Sequence, residues 1–312
     1  MGQDYIPAPD WCENVGPECP VSGSLYGYKP NLGANAFFIA VFALCLIAQL
    51  ALGIRYKTWT YMVTLSLGCL GEAVGYAGRI MLHNNAFSSI GFQIQICCII
   101  IAPAFFSGGI YLTLKHIVLN FGERYSRLRA GWYTWIFIGC DLFSLVLQGA
   151  GGGIAATADN GSSFQDVGTD LMVAGIIFQV VCMAFFVYFL GEYSYRTYKH
   201  RDELSPESMT LFEKTSFRCF MGGISVAYVA IFTRCVYRIP ELTGGWGNNL
   251  MRNEAEFIAL EGVMIVIAAI CLTVFHPGYC FPALGKRANS KAAKQMDESS
   301  STEKMSEPTA YP

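Results

Sequence analysis

The sequence predicts an all-α fold: a polytopic membrane protein with a single seven-helix transmembrane bundle, N-terminus outside and C-terminus cytosolic. Three observations carry this expectation. Only 14% of the 312 residues are charged while 53% are hydrophobic, against about a quarter charged in an ordinary soluble domain. Seven apolar runs are each long enough for a bilayer, which needs ~20 residues per helix. Finally, lysine and arginine crowd into alternate connections.

The predicted spans are 33–54, 60–82, 92–119, 132–156, 170–193, 217–237 and 255–275. Their connections are short, so one bundle over 33–276 is expected, preceded by an extracellular tail, 1–32, and followed by a cytosolic tail, 277–312. The last part, from about 290, is polar, lacks apolar periodicity and reads as disordered. Orientation follows the positive-inside rule. Sixteen Lys and Arg residues fall on the side of the first, third and fifth connections and the C-terminus, three on the other side, and Arg79 and Arg234 inside the membrane.

The first thirty residues carry Asp4, Asp10, Glu13 and Glu18 and lack a basic n-region, so no secretory signal is expected. Nine of the twelve cysteines sit in or beside apolar runs, where a thiol behaves as a small hydrophobe. Cys12 and Cys19 share the polar tail and suit a small disulfide loop if that tail is outside. Asn160 opens a glycosylation sequon in the second outer connection. Cys280, at the cytosolic edge, is a candidate for palmitoylation or an unmodified thiol. A net charge of −2 gives no reason to expect nucleic acid as a partner.

The stretch GEAVGYAGR, residues 71–79, sets Glu72 and Arg79 inside a run that otherwise reads as lipid-compatible. Seven residues is nearly two turns, so both share a face but stand roughly 10 Å apart along the axis. Each needs a partner elsewhere. Asp141, Arg234 and Glu261 are the candidates on other spans. A charge near a helix centre costs about 2.5–3.5 kcal/mol on insertion scales, so five such groups must face inward.

Depth bookkeeping places Glu72 and Asp141 near mid-membrane. Tyr76, Arg79, Gln93, Gln95, Gln148, Gln179, Arg234, Arg238, Glu241 and Glu261 lie toward the outer side. Two readings stand. The charges pair and knit the helices together, or they line a polar cavity that opens outward and ends near Glu72 and Asp141. QGAGGG, 148–153, and FSGGI, 106–110, permit close helix approach, and Pro103 frees backbone carbonyls toward the interior. No HExxH pair, zinc-like CxxC, GxSxG elbow or GxxxxGK[ST] loop is present, so neither an enzyme nor a metal, cofactor or ATP site is expected.

Several ordered stretches carry a resemblance: YKPNLGANAFFIAVFALCLIAQ from Tyr28, EAVGYAGR at 72–79, IAPAFFSGGIYLTL at 101–114, DLFSLVLQGAGGG at 141–153, RCVYRIPELTGGWGNNLMRNE at 234–254, and HPG at 276–278. Together they resemble the fungal lipid-translocating exporter family, also called RTA-like, over residues 26 to about 285. The resemblance implies seven helices in a plasma or internal membrane and export or flipping of sphingoid long-chain bases or toxic amphiphiles. Where many members carry aspartate in the last helix, this chain has Glu261.

A sphingoid base is a cation with an alkyl tail. Glu72 and Asp141 are expected to hold its ammonium group, and Arg79, Arg234 and Arg238 to pair with Glu241 or Glu261 or to engage lipid phosphate. The alternative is a seven-transmembrane lipid sensor. Glu123-Arg124-Tyr125 resembles the receptor triplet of rhodopsin-like proteins, but it falls in a basic connection and no NPxxY follows.

Overall fold

A backbone immersed in hydrocarbon must satisfy its own hydrogen bonds, and long apolar runs therefore become helices. The computed structural model describes residues 14–121, 130–157, 163–200, 214–245 and 247–280, together with Cys12 and residues 209, 210 and 212. Asn160, the Glu123-Arg124-Tyr125 triplet and the tail from about 290 lie outside the described residues. Seven long helices appear: α1 Leu32–Tyr56, α2 Trp59–Asn84, α3 Ser89–Phe121, α4 Ala130–Thr157, α5 Ser163–Lys199, α6 Thr215–Thr243 and α7 Glu254–Val274, followed by the short α8, Pro277–Cys280. Among the described residues there is no strand.

Each helix starts earlier or ends later than its predicted span, α5 most of all at 37 residues. The sequence boundaries followed the apolar stretch, whereas the helices run on into polar flanks where water can share the terminal backbone groups. Local signals hold the ends. Asn31 caps α1 by accepting a bond from the Ala34 N–H at 3.1 Å. Lys57 closes the same helix in the left-handed region, φ 58°.

Six of these helices are long and apolar enough to cross a membrane, and α2 is not among them. Its sequence explains why: alongside Glu72 and Arg79 it carries Gly68, Gly71, Gly75 and Gly78. These glycines form a ladder at helical spacing against α3. A Cβ at Gly75 would stand 2.6 Å from Ile99, and one at Gly78 would stand 2.8 Å from the backbone of Gly91 and Gln95. Small residues thus let the most polar helix sit closely against its neighbour.

α2 packs between α1 and α3, α5 runs along α4, and α7 lies on α6 with α1 behind it. Phe37, Leu44, Ile47, Trp135 and Val146 face outward, as a lipid-exposed surface requires. Inside, Tyr111, Phe137, Phe186 and Tyr228 build an aromatic core between α3, α4, α5 and α6.

The QGAGGG run does one specific job. A Cβ at Gly151 would meet the Gly168 carbonyl oxygen at 2.5 Å and the Met172 nitrogen at 2.6 Å, both backbone atoms, so α4 and α5 touch there. Gly149 and Gly153 face open space. Gly151→Ala is expected to destabilise the protein by about 1–3 kcal/mol through overpacking. Gly149→Ala should be neutral or gain up to about 1 kcal/mol from helix propensity. Thermal melts of the purified protein in detergent compare the two.

At the far end of α7, Gln49 and Tyr61 donate to the Leu272 carbonyl at 3.3 and 2.9 Å, satisfying one of the orphan groups of that terminus. His276 follows, fully buried. The Gly278 N–H donates to its Nδ1 at 3.0 Å, which puts the ring proton on Nε2, facing Thr58 Oγ1 at 3.5 Å. Burial pushes this imidazole down to about 4, from an unfolded value of about 6.5. The unfolded chain therefore binds the extra proton first, so stability present above about pH 6.5 is lost as pH falls toward 4. Wild-type melting temperature should drop across that window, and by less in His276→Gln, whose amide cannot charge.

Candidate functional site

Two helices present their polar groups with the same spacing. On α2, Glu72, Tyr76 and Arg79 lie at i, i+4 and i+7; on α6, Arg234, Arg238 and Glu241 do the same. Such spacing puts three side chains on one face. The third contributor is α7, which is π-helical over Phe257–Val263 and carries Glu261 in that turn. π turns inside α-helices recur at functional sites.

Glu261 is the hub. Its carboxylate is fully buried and accepts from Arg238 Nε at 2.6 Å, Arg238 Nη2 at 3.2 Å and Arg234 Nη2 at 3.2 Å. Arg234 Nη2 also donates to the Ile99 carbonyl at 2.6 Å. That carbonyl is free for a reason: Pro103, four residues on, has no N–H to take it. Arg238 is further braced by Glu241 at 3.8 Å, three residues along.

Glu72 stands beside this hub without joining it. It is completely buried, its nearest cation is Arg234 at 3.9 Å, and neither carboxylate oxygen receives a hydrogen bond. The Tyr76 hydroxyl, one turn away, is also without a partner, while its ring packs on Phe38 and Phe42. A buried carboxylate with open oxygens is costly unless a donor arrives. The geometry leaves Glu72 able to accept one.

Arg79 caps the end of the network that faces residues 14–31. Its guanidinium lies 3.8 Å over the Phe257 ring, donates to the Tyr28 hydroxyl at 3.0 Å, and reaches Glu254 at 4.0 Å. Residues 14–31 fold over this region. The Gln95 amide donates to the Tyr26 hydroxyl at 2.8 Å, Arg252 donates to the Ser22 carbonyl at 2.9 Å, and His83 meets the Pro30 carbonyl at 2.7 Å. Burial pushes both the Tyr26 and Tyr28 phenols up, against the pull of Arg79, so both are neutral hydroxyls. Cys12 and Cys19 are joined as a disulfide in this segment.

The structure brings Glu72, Tyr76, Arg79, Arg234, Arg238, Glu241 and Glu261 together. Gln148 donates to Gln179 at 3.1 Å, and both line a recess with Arg234, Arg238, Ile100, Pro103, Ile176 and Cys235. The recess measures ≈ 280 Å³ counting the open space at its mouth, and its interior has room for about one water.

The sequence leads one to expect a polar cavity ending near Glu72 and Asp141, whereas the recess seen here is lined by Gln148 and Gln179. Neither acid lines the recess, because the Arg234–Glu261–Arg238 pairs fill the space between helices. Gln93, placed in the outer polar half by depth alone, turns outward and is exposed. Asp141 stands apart, accepting from Ser107 at 2.6 Å. Tyr26, Tyr28, Ser107 and Phe257 escaped the sequence reading, since neither a tail aromatic nor a mid-helix serine carries a signal without its partner.

A bundle with six membrane-length apolar helices and a buried arginine–carboxylate network is an integral membrane protein. A family model described as "RTA1 like protein" matches residues 65–284, and the chain belongs to that family. It is 32% identical to the sphingoid long-chain base transporter RSB1 of Saccharomyces cerevisiae, over 83% of this chain and 75% of the relative. Protein RTM1 of the same organism is 26% identical over 73% of each chain. The lipid-translocating exporter-like protein RTA1 of Leptosphaeria maculans is 26% identical over 85% of this chain and 53% of that one. No solved structure matches.

Breaking the hub from one side should be severe. Glu261→Gln leaves two buried guanidinium groups short of countercharge, an expected loss of about 3–5 kcal/mol. Adding Arg238→Gln removes one stranded cation, so the double variant should lose less than the two single losses added. A double-mutant cycle of melting free energies with coupling of about 0.5–3 kcal/mol is the expected result.

Proposed function

We propose that this protein moves cationic amphiphilic lipids, sphingoid long-chain bases foremost, from the inner side of a membrane to the outer side. The carrying observation is Glu72: a fully buried carboxylate whose two oxygens receive no hydrogen bond, in the middle of an apolar bundle. An ammonium head offers what those oxygens lack. The names of the relatives, a sphingoid long-chain base transporter and a lipid-translocating exporter, point to the same substrate class.

In this reading all seven long helices cross the membrane. α2 crosses despite its charges because its polar face is turned onto α3, α6 and α7 and its glycines let it sit close. The lysine and arginine distribution supports an N-terminal segment, with its disulfide, and an Asn160 connection on the outside, and a C-terminal tail in the cytosol. The plasma membrane is the site that suits an exporter. The work is binding and release, with no bond made or broken in the lipid, so the protein is not an enzyme.

The closed recess sets the mechanism. The head enters only if α6 or α7 draws back from α2, and Arg234 stays anchored on Glu261 and the Ile99 carbonyl while Glu72 takes the ammonium. The alkyl chain stays along outward apolar faces. Gln148 and Gln179 lead toward the outer side, and the Tyr26–Tyr28 segment covers the exit over Arg79.

The test is efflux of a labelled long-chain base from fungal cells lacking their own family members, at matched surface expression. Wild type should accelerate efflux. Glu72→Gln should slow it about tenfold or more, since a charge-assisted bond is worth about 1.5–3 kcal/mol. Equal retention in all strains would overturn the proposal. A sensor on the same site would bind the base without accelerating its loss.

A further inference from the structure

The charges around Glu261 find partners among themselves: Arg234 and Arg238 face Glu261, Glu72 and Glu241, and Arg79 reaches Glu254. Asp141 is outside that set. It sits on α4, 4% exposed; Oδ2 accepts from Ser107 of α3 at 2.6 Å, and Oδ1 has no donor. Among the described residues no Lys, Arg or His lies within ion-pair distance of it.

What faces Asp141 is neutral on every side. α3 offers Ser107 and Tyr111, α6 offers Tyr228 and Cys235, α5 offers Cys182, and Cys140 precedes it on α4. Tyr228 is committed, donating to the Met183 carbonyl at 2.7 Å. The Tyr111 hydroxyl makes no hydrogen bond of good geometry but stands beside the carboxylate as a second neutral donor. An ionised carboxylate held there alone would cost several kcal/mol, so its charge calls for a cation or a proton beside it.

The place is also connected. Cys235 lies within electrostatic reach of Asp141 and lines the water-sized recess with Gln148 and Gln179. Gln148 lies seven residues beyond Asp141 on α4, nearly two turns along the same face. The recess is therefore the polar space beside Asp141 through which the proposal below routes a proton.

We propose that Asp141 is a cation-exchange site that couples the amphiphile's movement to the opposite movement of a proton. This rests on the transport reading above and adds its energy source. The step balances. The O–H bond of Asp141 breaks, its electron pair stays on the carboxylate, the proton departs through the recess, and the amphiphile's ammonium takes its place as the countercharge. Return of the emptied carrier requires Asp141 to take up a proton again. The neutral pocket makes ionised Asp141 without a cation the state to avoid, and that penalty is what couples the two movements.

The experiment uses full-length protein in phosphatidylcholine vesicles holding a lumenal pH dye. The probe is a long-chain lipid with a trimethylammonium head, whose charge does not vary with pH and which therefore cannot carry protons itself. Wild type should raise lumenal pH as the probe enters, with about one proton leaving per probe. Asp141→Asn should abolish the pH change, and Asp141→Glu should retain it. Infrared difference spectra on probe binding add a readout that needs no variant: wild type should lose a protonated-carboxyl band.

Probe entry without a lumenal pH change, or binding without loss of that band, overturns the exchange and leaves the transport reading standing. No probe entry with the band still lost on binding overturns transport and retains the site. Asp141→Asn that is folded by gel filtration yet still coupled also overturns the proposal.

Discussion

Three arginines and three glutamates buried among apolar helices are the constraint on which this structure turns. An isolated charge in that setting is expensive, so α2, α6 and α7 are held in one arrangement by the need to face Arg234 and Arg238 onto Glu261. Other features follow as accommodations. The α2 glycines let a polar helix lie against α3, Pro103 releases the Ile99 carbonyl as an extra acceptor for Arg234, and the π turn sets Glu261 between two guanidinium groups. Such a network knits the bundle, and its imperfection at Glu72 is where function enters.

The two readings of the intramembrane charges, pairing or cavity, meet in one structure. Glu261 is saturated by donors and explains packing. Glu72 and Asp141 each keep oxygens without donors, and the proposed binding rests on them. In this proposal stability and ligand recognition divide between buried carboxylates, according to which of them a neighbouring arginine saturates.

The charges themselves were legible in the sequence, because Glu72, Arg79, Arg234 and Glu261 interrupt runs where each costs kilocalories. The seven-residue gap between Glu72 and Arg79 correctly demanded separate partners, found in Arg234 and in Tyr28 with Glu254. The partners were harder. Tyr26 and Tyr28 belong to a polar segment without periodicity, and only the folded chain lays them on Arg79. The π turn has no sequence signature in FIALEGV, and depth counted along a single helix could not tell that Gln93 turns outward while Gln95 turns in. Charge alone does not carry side-chain volume: Arg234 and Arg238 occupy the space beside Glu261 where the charges imply a cavity.

The central claim is that a cationic lipid head seats at buried carboxylates inside the bundle rather than on its outer surface. Photolabelling addresses this most directly, with a long-chain amine bearing a diazirine beside its head and with peptide mapping by mass spectrometry. The account predicts adducts at and around Glu72 and Tyr76 on α2, lost when unlabelled long-chain base is added. Adducts confined to outward residues such as Leu44 and Trp135, undiminished by that competitor, would contradict it.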